Sequence, residues 1–395
     1  MLIVGGGVMG CATAWHLAHT HGLAVTVLER DLAYTRASSA LSVCAIRQQF
    51  STAINIRLSQ KSLQVYRAFA EQLGLADEVP PLGLVEPGYL YLAATTEGAQ
   101  VLREQHALQR SLEVHTALED GATLGRRFPW LHTDDVTLGS LGLSTATSGE
   151  GWFDGYAALQ GFRQAAVRAG VRFEECEVSR ITSAAHGAMR RVQSVRTTAG
   201  EQFEADALVI TAGAWSAPLA AELGVMLPVR ARKRDVFAFE AEVALPDAPL
   251  LIDPSGCWFR PEAAPGRFLC GAPPRGADVD DAPLERVDHG LFDEILWPTL
   301  AHRVPAFDAV RVTASWAGYY EMNTFDRNGL VGPLPGVANA FTACGFSGHG
   351  LQQAPAVGRA LAERIATGAY LSLDLSPLRV ERVAEGRPLL ERNVI

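Results

Sequence analysis

The run Leu2-Ile3-Val4-Gly5-Gly6-Gly7-Val8-Met9-Gly10 decides the fold of this chain, because within it an apolar stretch turns directly into closely spaced glycines. Residues 2–4 predict a short buried strand, and the alanine-rich residues 9–19 predict a helix behind the turn. Residues 24–29, AVTVLE, predict a second buried strand. Strand, helix and strand indicate a βαβ unit, since uninterrupted apolar strands are typical of a parallel sheet that is covered on both faces.

The spacing of the glycines predicts a dinucleotide site. Gly5 lets the chain turn, Gly7 lets backbone amides approach a pyrophosphate, and Gly10 lets the helix pack closely on the strand. The helix N-terminus adds a partial positive charge toward the phosphates. Glu29 stands nineteen residues after Gly10, where an acid that accepts hydrogen bonds from ribose hydroxyls is expected. A tight turn without any ligand is the alternative, and the flanking strand, helix and acid favour the nucleotide.

The motif itself leaves the choice between NAD and FAD open. The other glycine-rich stretch, residues 271–276 (GAPPRG), has prolines where a helix would have to begin. An enzyme that reduces a flavin with NADH usually carries a second nucleotide-binding domain. A single fingerprint therefore favours one cofactor that is reduced by the substrate itself.

The composition excludes several classes of protein. A chain of 395 residues is too long for one core, which stops growing at about 250–300 residues, so we expect two domains. A net charge of −9 argues against nucleic acid, whose binding needs clustered lysine and arginine. The six cysteines form no CxxC pair and no zinc spacing, so we expect no metal. No membrane span and no signal peptide are recognisable, which predicts a cytoplasmic location; a start upstream of Met1 stays open.

Segments typical of an α/β fold occur three times and are separated by two β-rich insertions. We expect α/β architecture combined with α+β, in which a discontinuous Rossmann-like domain binds the nucleotide and a β-rich domain binds the substrate. The predicted nucleotide-binding segments are residues 1–76, 144–228 and 318–395, and the substrate-binding segments are residues 77–143 and 229–317. Residues 54–74 of the first segment predict one long amphipathic helix.

Several stretches together resemble the D-amino-acid-oxidase superfamily of FAD-dependent oxidoreductases, on the branch with sarcosine oxidase and dimethylglycine dehydrogenase. The stretches are GGGVMGCATAWHLA at 5–18, ASSALSVCAIRQQFS at 37–51, EGWFDGYAAL at 150–159, ALVITAGAWS at 207–216, WAGYYEMNTFDRNGLVGP at 316–333 and CGFSGHGLQQAP at 344–355. The resemblance covers essentially the whole chain, and it implies FAD as the cofactor. It also extends to a member of the branch that is linked to assembly of a respiratory complex.

The resemblance implies a set of FAD-binding residues that is larger than the glycine turn. In the first nucleotide-binding segment they are Gly5, Gly7, Val8, Met9, Gly10, Glu29, Arg30, Ser38 and Ser39. In the second they are Val178, Ala212, Gly213 and Trp215. In the third they are Gly329 and Leu330 with the neighbouring Asn328, and the turn residues Gly345, Phe346, Ser347, Gly348, His349, Gly350 and Leu351. The turn would present a helix N-terminus to the flavin ring, whose reduced form carries negative charge. An ordinary helix N-cap is the alternative for the two serines, and a plain core tryptophan is the alternative for Trp215.

Three residues are implied in catalysis: Arg47, His349 and Gln352. Arg47 would bind a substrate carboxylate, because a guanidinium meets a carboxylate bidentately; an arginine that closes a surface loop is the alternative. His349 would polarise a reacting oxygen or the substrate, or it makes a structural hydrogen bond in its turn. Gln352 stands where the family has a second, carboxylate-binding lysine.

Two further departures from the family weaken the resemblance to sarcosine oxidase. The oxygen-activating lysine falls at Leu269, and the cysteine that tethers FAD falls among residues 318–320, which contain none. We therefore expect non-covalent FAD, slow reaction with O2 and a substrate other than sarcosine. Cys44 is expected in the core, and Tyr319 and Tyr320 are expected on the pocket wall.

The combined prediction is an FAD-dependent oxidase or dehydrogenase that acts on the C–N bond of an amino acid or N-alkyl amino acid. The expected partners are this small-molecule substrate and an electron acceptor, either O2 or a redox carrier. Two alternatives stay open. One is oxidation of a 2-hydroxy acid, for which His349 would have to act as the base. The other is a flavoprotein that serves as an assembly or binding factor with little turnover.

Overall fold

A computed structural model describes residues 1–76, 78–79, 81–245 and 247–393. The strands are β1 Leu2–Val4, β2 Thr26–Glu29, β3 Ala45–Ile46, β4 Tyr89–Ala93, β5 Thr116–Glu119, β6 Leu138–Gly142, β7 Gly151–Trp152, β8 Arg172–Glu175, β9 Val178–His186, β10 Met189–Thr197, β11 Gln202–Glu204, β12 Leu208–Ile210, β13 Val229–Ala241, β14 Leu250–Ile252, β15 Trp258–Pro261, β16 Arg267–Gly271, β17 Val310–Asn323, β18 Leu330–Pro333 and β19 Ala340–Cys344.

The α-helices are α1 Val8–Trp15, α2 Ser38–Leu41, α3 Ala53–Arg67, α4 Phe69–Gln72, α5 Thr96–Ser111, α6 Gly121–Arg127, α7 Gly155–Arg168, α8 Ser216–Ala221, α9 His289–Leu291, α10 Trp297–Arg303, α11 Gly350–Thr367 and α12 Glu381–Ala384. A π-helical turn, His16–Thr20, extends α1. The predicted single helix over residues 54–74 is wrong in one respect, because it breaks into α3 and α4 at Ala68, where the backbone leaves helical geometry.

The predicted βαβ unit is confirmed at the centre of a six-stranded sheet of order β18–β19–β12–β1–β2–β8. Strand β1 runs parallel to both β2 and β12, and β18 is the antiparallel edge strand. The central strands are uninterrupted apolar runs that are buried on both faces, as a parallel sheet requires. Three separate parts of the chain therefore build one sheet.

Helices α1, α7, α3 and α11 cover one face of this sheet and form its main core. Helix α11 lies very close to α1 at Gly358, where an added Cβ atom would stand 2.8 Å from the Cβ of Ala12. This close approach packs α11 directly against α1, and the first turn of α11 is part of the candidate site.

The β-rich insertions form an eight-stranded sheet of order β17–β13–β16–β15–β14–β4–β6–β5. It is antiparallel except between β14 and β4. A cluster of phenylalanines packs on one face, with Phe307 against Phe239, Phe259 and Phe268. The predicted domain boundary at 317/318 falls inside β17, so this strand crosses it. The domain division itself stays a prediction, and its residues 77, 80, 246, 394 and 395 lie outside the described residues.

Two smaller sheets complete the fold. Strands β11, β10 and β9 form an antiparallel three-stranded sheet, and β3 pairs with β7. Helices in the described part of the chain include none that is both long and apolar enough to cross a membrane.

Candidate functional site

An elongated cleft of about 390 Å³ receives residues from both large sheets. The β1–α1 turn contributes Gly5 and Gly7, and the eight-stranded sheet contributes Arg234, Ile252 and Trp258. Eighteen of the 24 residues that the sequence predicts for the site line this cleft: Gly5, Gly7, Val8, Met9, Glu29, Arg30, Ser38, Ser39, Arg47, Val178, Ala212, Gly213, Trp215, Ser347, Gly348, Gly350, Leu351 and Gln352.

The glycine turn has the tight geometry that its spacing predicts. Gly5 has φ +100°, and an added Cβ atom would lie 2.5 Å from the carbonyl oxygen of Thr211. At Gly10 the added atom would lie 2.0 Å from the carbonyl oxygen of Gly5, which explains why Gly10 packs on the strand and does not line the cleft. Gly7 is different, since its added Cβ would meet the Ser39 hydroxyl at 3.4 Å. The start of α1 is therefore open toward the cleft.

Ser38 and Ser39 line the cleft, and neither of them is the N-cap residue of helix α2. The residue before helix α2 is Ala37, so the N-cap interpretation of Ser38 and Ser39 is wrong. Ser39 Oγ accepts a hydrogen bond from the Val8 amide at 3.2 Å, and Ser38 Oγ donates to the Tyr319 carbonyl at 2.7 Å. Together these bonds hold α2 across the glycine turn and place hydroxyl groups beside the free amides.

At the end of β2, Glu29 accepts hydrogen bonds from the amides of Gly6 at 2.6 Å and Asp31 at 3.1 Å. Burial raises the pKa of the Glu29 carboxyl, and the Gly6 hydrogen bond opposes that effect. The next residue, Arg30, places its guanidinium 3.5 Å from the ring centroid of Trp215. Trp215 is half-buried and lines the cleft, so the interpretation of it as a plain core residue is wrong.

The turn before α11 holds a carboxylate that the sequence analysis missed. Glu321 lines the cleft, and its Oε2 accepts a hydrogen bond from the Gly345 amide at 3.0 Å. Burial raises the pKa of Glu321 to about 7, although the Gly345 hydrogen bond opposes that shift. The only signal in the sequence was an acid that directly follows the aromatic-rich residues 316–320 (WAGYY). Helix α11 starts at Gly350 without a side-chain cap, so its amides also face the cleft.

Six predicted residues do not line the cleft: Gly10, Gly329, Leu330, Gly345, Phe346 and His349. Leu330 is fully buried in the core behind β19, and Gly329 packs against the Phe346 ring. Asn328 is buried too and donates a hydrogen bond to the Leu389 carbonyl. A contact between these six residues and a bound cofactor stays a prediction.

Arg47 is buried on the cleft wall, with 6% of its surface exposed, so it does not close a surface loop. Its Nη2 donates a hydrogen bond to the Asn393 carbonyl, and its guanidinium lies 4.6 Å from the ring centroid of Phe50. The Nε atom has no partner among the described residues. The guanidinium therefore keeps hydrogen-bonding capacity for an anion in the cleft.

Gln352 holds the backbone of Arg47. Its Oε1 accepts hydrogen bonds from the Arg47 amide at 2.9 Å and from Ser59 Oγ at 3.2 Å. The side chain is 2% exposed, although the residue contributes to the cleft wall. Its observed contacts are those of a residue that positions Arg47.

His349 is enclosed by Phe50 and Phe346, whose ring centroids lie 5.4 and 6.3 Å from its own. Neither ring nitrogen has a hydrogen-bond partner of good geometry within the described residues, but the Ser347 backbone acts to raise the pKa of the ring, so the structural hydrogen bond in the turn stays a prediction. Burial lowers the pKa of His349 to about 3, and the charge of Arg47 adds to this effect. The ring is therefore neutral.

The remaining predicted positions are apolar or structural. Leu269 is buried in β16, in register with Arg260 of β15. Cys44 packs against Gly155, and burial raises the pKa of its thiol. Tyr319 and Tyr320 both line the cleft, as predicted.

Helices α1 and α11 both begin at the cleft, each after a glycine-rich turn. This arrangement is typical of oxidoreductases that bind a flavin dinucleotide. The chain belongs to the FAD-dependent oxidoreductase family (DAO), whose model matches residues 1–364. It binds FAD, and the open amides at Gly7 and the hydroxyl of Ser39 are suited to a pyrophosphate.

Relatives of known name cover nearly the whole chain. FAD-dependent oxidoreductase domain-containing protein 1 of Xenopus laevis is 40% identical over 427 residues, which span 100% of this chain and 84% of the relative. Glycine oxidase of Geobacillus kaustophilus is 28% identical over 390 residues, 96% of each chain. The crystal structure of that glycine oxidase superposes with a TM-score of 0.80 at 26% identity, over 96% of this chain and 98% of the other. L-proline dehydrogenase from P. horikoshii shares the fold, with a TM-score of 0.83 at 23% identity over 98% of both chains.

Proposed function

We propose that this chain oxidises the C–N bond of an amino acid or an N-alkyl amino acid. The observation that carries the proposal is the buried Arg47 guanidinium on the cleft wall, which has no carboxylate within 4.0 Å among the described residues. Burying a charge is unfavourable unless it is paired, and a carboxylate pairs with a guanidinium bidentately. Glu391 and Glu150 act on Arg47 only from beyond ion-pair distance, and a substrate carboxylate would supply the direct partner.

We assign the binding of FAD to the residues at the N-termini of helices α1 and α11 and to those at the C-terminal end of strand β2. The Gly5–Gly10 turn with Ser39 would hold the pyrophosphate, Glu29 with Arg30 the ribose, and the turn 345–350 the flavin ring. Bound flavin supplies a two-electron acceptor for the hydride that leaves the carbon beside the nitrogen. Since the cysteines of the chain do not include one at residues 318–320, the proposal takes FAD as non-covalently bound.

The residues of this chain would bind and orient the substrate. Arg47 would bind the carboxylate of the substrate. Tyr89 and Tyr320, which also line the cleft, would orient the amine end of the substrate. The apolar side chains of Ile252 and Trp258 exclude water from the reacting carbon. A neutral amine needs no strong general base, which agrees with a neutral His349 that lies behind the cleft surface.

The relatives support this substrate class. Glycine oxidase is among them, and peroxisomal sarcosine oxidase of Mus musculus is 27% identical over 399 residues, 96% of this chain and 95% of the relative. Both names describe oxidation of an amino acid. The family's oxygen-activating lysine falls at position 269, which is leucine in this chain. We therefore expect a redox carrier or dye to reoxidise the flavin faster than O2 does.

Anaerobic reduction of the flavin tests the proposal. The FAD-loaded protein is mixed with a panel of amino acids and N-methyl amino acids, and each is paired with the amine that lacks its carboxylate. We expect at least one acid to bleach the flavin absorbance. Arg47→Gln should raise the concentration needed for half-maximal bleaching by more than about 100-fold, since a charge-assisted pair contributes about 3 kcal/mol. If no member of the panel reduces the wild-type flavin, the proposal fails.

A second candidate, a flavoprotein that acts as an assembly or binding factor, is favoured by one observation. Gln352 is committed to the Arg47 backbone and Leu269 is apolar, so neither position supplies a cation to the cleft. Co-purification with a larger complex, together with no turnover on the panel, would support this candidate. Oxidation of a 2-hydroxy acid is disfavoured, because its base would have to be His349, which does not line the cleft.

A further inference from the structure

Two histidines and an aspartate meet beside the eight-stranded sheet, and none of the three lines the cleft. His302 lies in the last turn of α10, and His132 and Asp135 lie in the connection between α6 and β6. Each side chain offers one ligand atom, and these atoms all lie within 4.8 Å of one another. No spacing in the sequence indicates this group, because only the fold brings α10 next to that connection.

Arg303 holds the backbone around this group in place. The amide of His132 donates a hydrogen bond to the Arg303 carbonyl at 2.8 Å, and Arg303 Nη1 donates to the His132 carbonyl at 2.8 Å. The same guanidinium binds both oxygens of Asp135, at 2.8 and 3.0 Å. Each carboxylate oxygen has a second lone pair, so Asp135 can still act as a ligand. A carboxylate that is held by hydrogen bonds in this way is typical of metal ligands.

The charges around this group favour a cation. Arg303 is 2% exposed and also pairs with the buried Asp253 at 2.8 Å, so one guanidinium faces two carboxylates. Asp134 adds a third carboxylate, whose oxygen lies 3.5 Å from a ring nitrogen of His132. One positive charge against three negative charges leaves a surplus of negative charge, which attracts a divalent cation.

The separation of His302 from Asp135 agrees with two ligands of a common ion. His302 Nε2 lies 3.6 Å from Asp135 Oδ2. A charge-assisted hydrogen bond would bring these atoms to about 2.7–2.9 Å, whereas two ligands at about 2.0–2.1 Å from one tetrahedral ion stand about 3.4 Å apart. The ring of His132 contacts that of His302, with ring centroids 4.5 Å apart. Since the side chains of His302 and Asp135 are 52% and 42% exposed, an ion can reach them from solvent.

We propose that His132, His302 and Asp135 bind a divalent transition-metal ion, for which Zn²⁺ is the best suited. Imidazole nitrogens and carboxylate oxygens are ligands of Zn²⁺, whereas Mg²⁺ and Ca²⁺ prefer oxygen ligands only. A water molecule would complete a tetrahedral set. The bound ion would join the end of α10 to the connection before β6, and it would thereby stabilise the folded chain.

Calorimetric titration with zinc alone tests this inference. The FAD-loaded protein is freed of metal with EDTA, dialysed and titrated with ZnCl₂ in a buffer that does not bind zinc. We expect one saturable site with a dissociation constant of about 10 μM or less, and no binding of MgCl₂. The melting temperature should rise with ZnCl₂ and stay unchanged with MgCl₂, because the ion binds the folded state.

Variants of the two histidines locate the ion. His132→Gln and His302→Gln each remove one ligand and keep the ion pair of Arg303 with Asp135, so both should fold. Each should weaken Zn²⁺ binding by at least about 100-fold, which exceeds the loss of about 10–100-fold that is typical of a residue that only orients a ligand. His186→Gln is the matched control, because His186 is an exposed histidine at the end of β9 and should leave Zn²⁺ affinity unchanged. Flavin content and the melting temperature without metal show that each variant is folded.

Failure of the wild-type protein to bind Zn²⁺ saturably at about 10 μM or less would overturn the inference. Wild-type affinity in either histidine variant would also overturn it, since the ion would then not be held by both imidazoles. The result is independent of the proposed amine oxidation, because the three ligands are not among the residues that line the cleft.

Discussion

Replacing Gln352 with leucine should remove the hydrogen bond that holds the backbone of Arg47, the residue on which the proposed function depends. Gln352 Oε1 accepts hydrogen bonds from the Arg47 amide and from Ser59 Oγ, and leucine is apolar and lacks this acceptor atom. Ser59 keeps a partner, because its hydroxyl also donates to the Arg47 carbonyl. The buried Arg47 amide keeps none. An orphaned buried amide costs about 1–3 kcal/mol, so the free energy of unfolding should fall by about 2 kcal/mol.

Binding of a carboxylate should weaken at the same time. With its backbone released, Arg47 no longer presents its guanidinium in one fixed position, and the dissociation constant for butyrate should rise about tenfold or more. Urea unfolding of the FAD-loaded protein measures the first effect, and a titration of the flavin spectrum measures the second. Gln352→Glu keeps the acceptor and should retain butyrate binding better than Gln352→Leu. Gln353→Leu changes the neighbouring buried residue of α11 and should leave butyrate affinity unchanged.

Two results would refute this reasoning. Wild-type urea stability together with wild-type butyrate affinity in Gln352→Leu would mean that the hydrogen bond to the Arg47 amide does not hold the arginine. An equal loss in Gln352→Glu and Gln352→Leu would mean that the acceptor oxygen is not the cause.

Three further predictions follow from the cleft. Gly10→Ala places a Cβ atom 2.0 Å from the Gly5 carbonyl oxygen, so helix α1 must shift. The ratio of flavin absorbance to protein absorbance in the purified variant should therefore drop below about a tenth of the wild-type ratio. A wild-type ratio would contradict the assignment of this turn to FAD. Folding raises the pKa of Glu321 from 4.5 to about 7, so its stabilising contribution is complete below pH about 4.5 and is lost as the pH rises through about 7. Between pH about 4.5 and about 7, the free energy of unfolding of the wild type in urea should therefore fall by about 3 kcal/mol relative to that of Glu321→Gln. The same comparison with Glu174→Gln, which changes an exposed carboxylate, should show no such fall. Parallel pH profiles of unfolding free energy for wild type and Glu321→Gln would rule the pKa shift out. Acid precipitation should release all flavin into the supernatant, because residues 318–320 offer no cysteine, and yellow colour left in the pellet would show a covalent bond.

The nucleotide-binding half of the fold was predictable because its signals are local. The run Leu2 to Gly10, the strand that ends in Glu29 and the glycines before α11 each depend on backbone sterics and hydrogen bonds within a few residues. The break of the predicted helix at Ala68 was not visible, since alanine favours helices and only packing separates α3 from α4.

The polar contacts of the site were less predictable, because they join residues that are far apart in the chain. Glu321 reaches the Gly345 amide across 24 positions, and Gln352 reaches the Arg47 amide across 305. A resemblance could assign Gln352 to a substrate-binding position, but only the packed chain shows that its oxygen is already occupied.

The sequence by itself determined the class of fold and the presence of a dinucleotide site, since the phosphate-binding turn is a short-range device that only glycine permits at Gly5 and Gly10. The resemblance along the whole chain, and not the turn, identified the dinucleotide as FAD. The tertiary structure alone decided which buried charges have an ion-pair partner. Pairing of a buried charge depends on which strands and helices meet. The contrast between Arg303 and Arg382, which form ion pairs, and Arg47, which forms none with the described residues, therefore exists only in the folded chain.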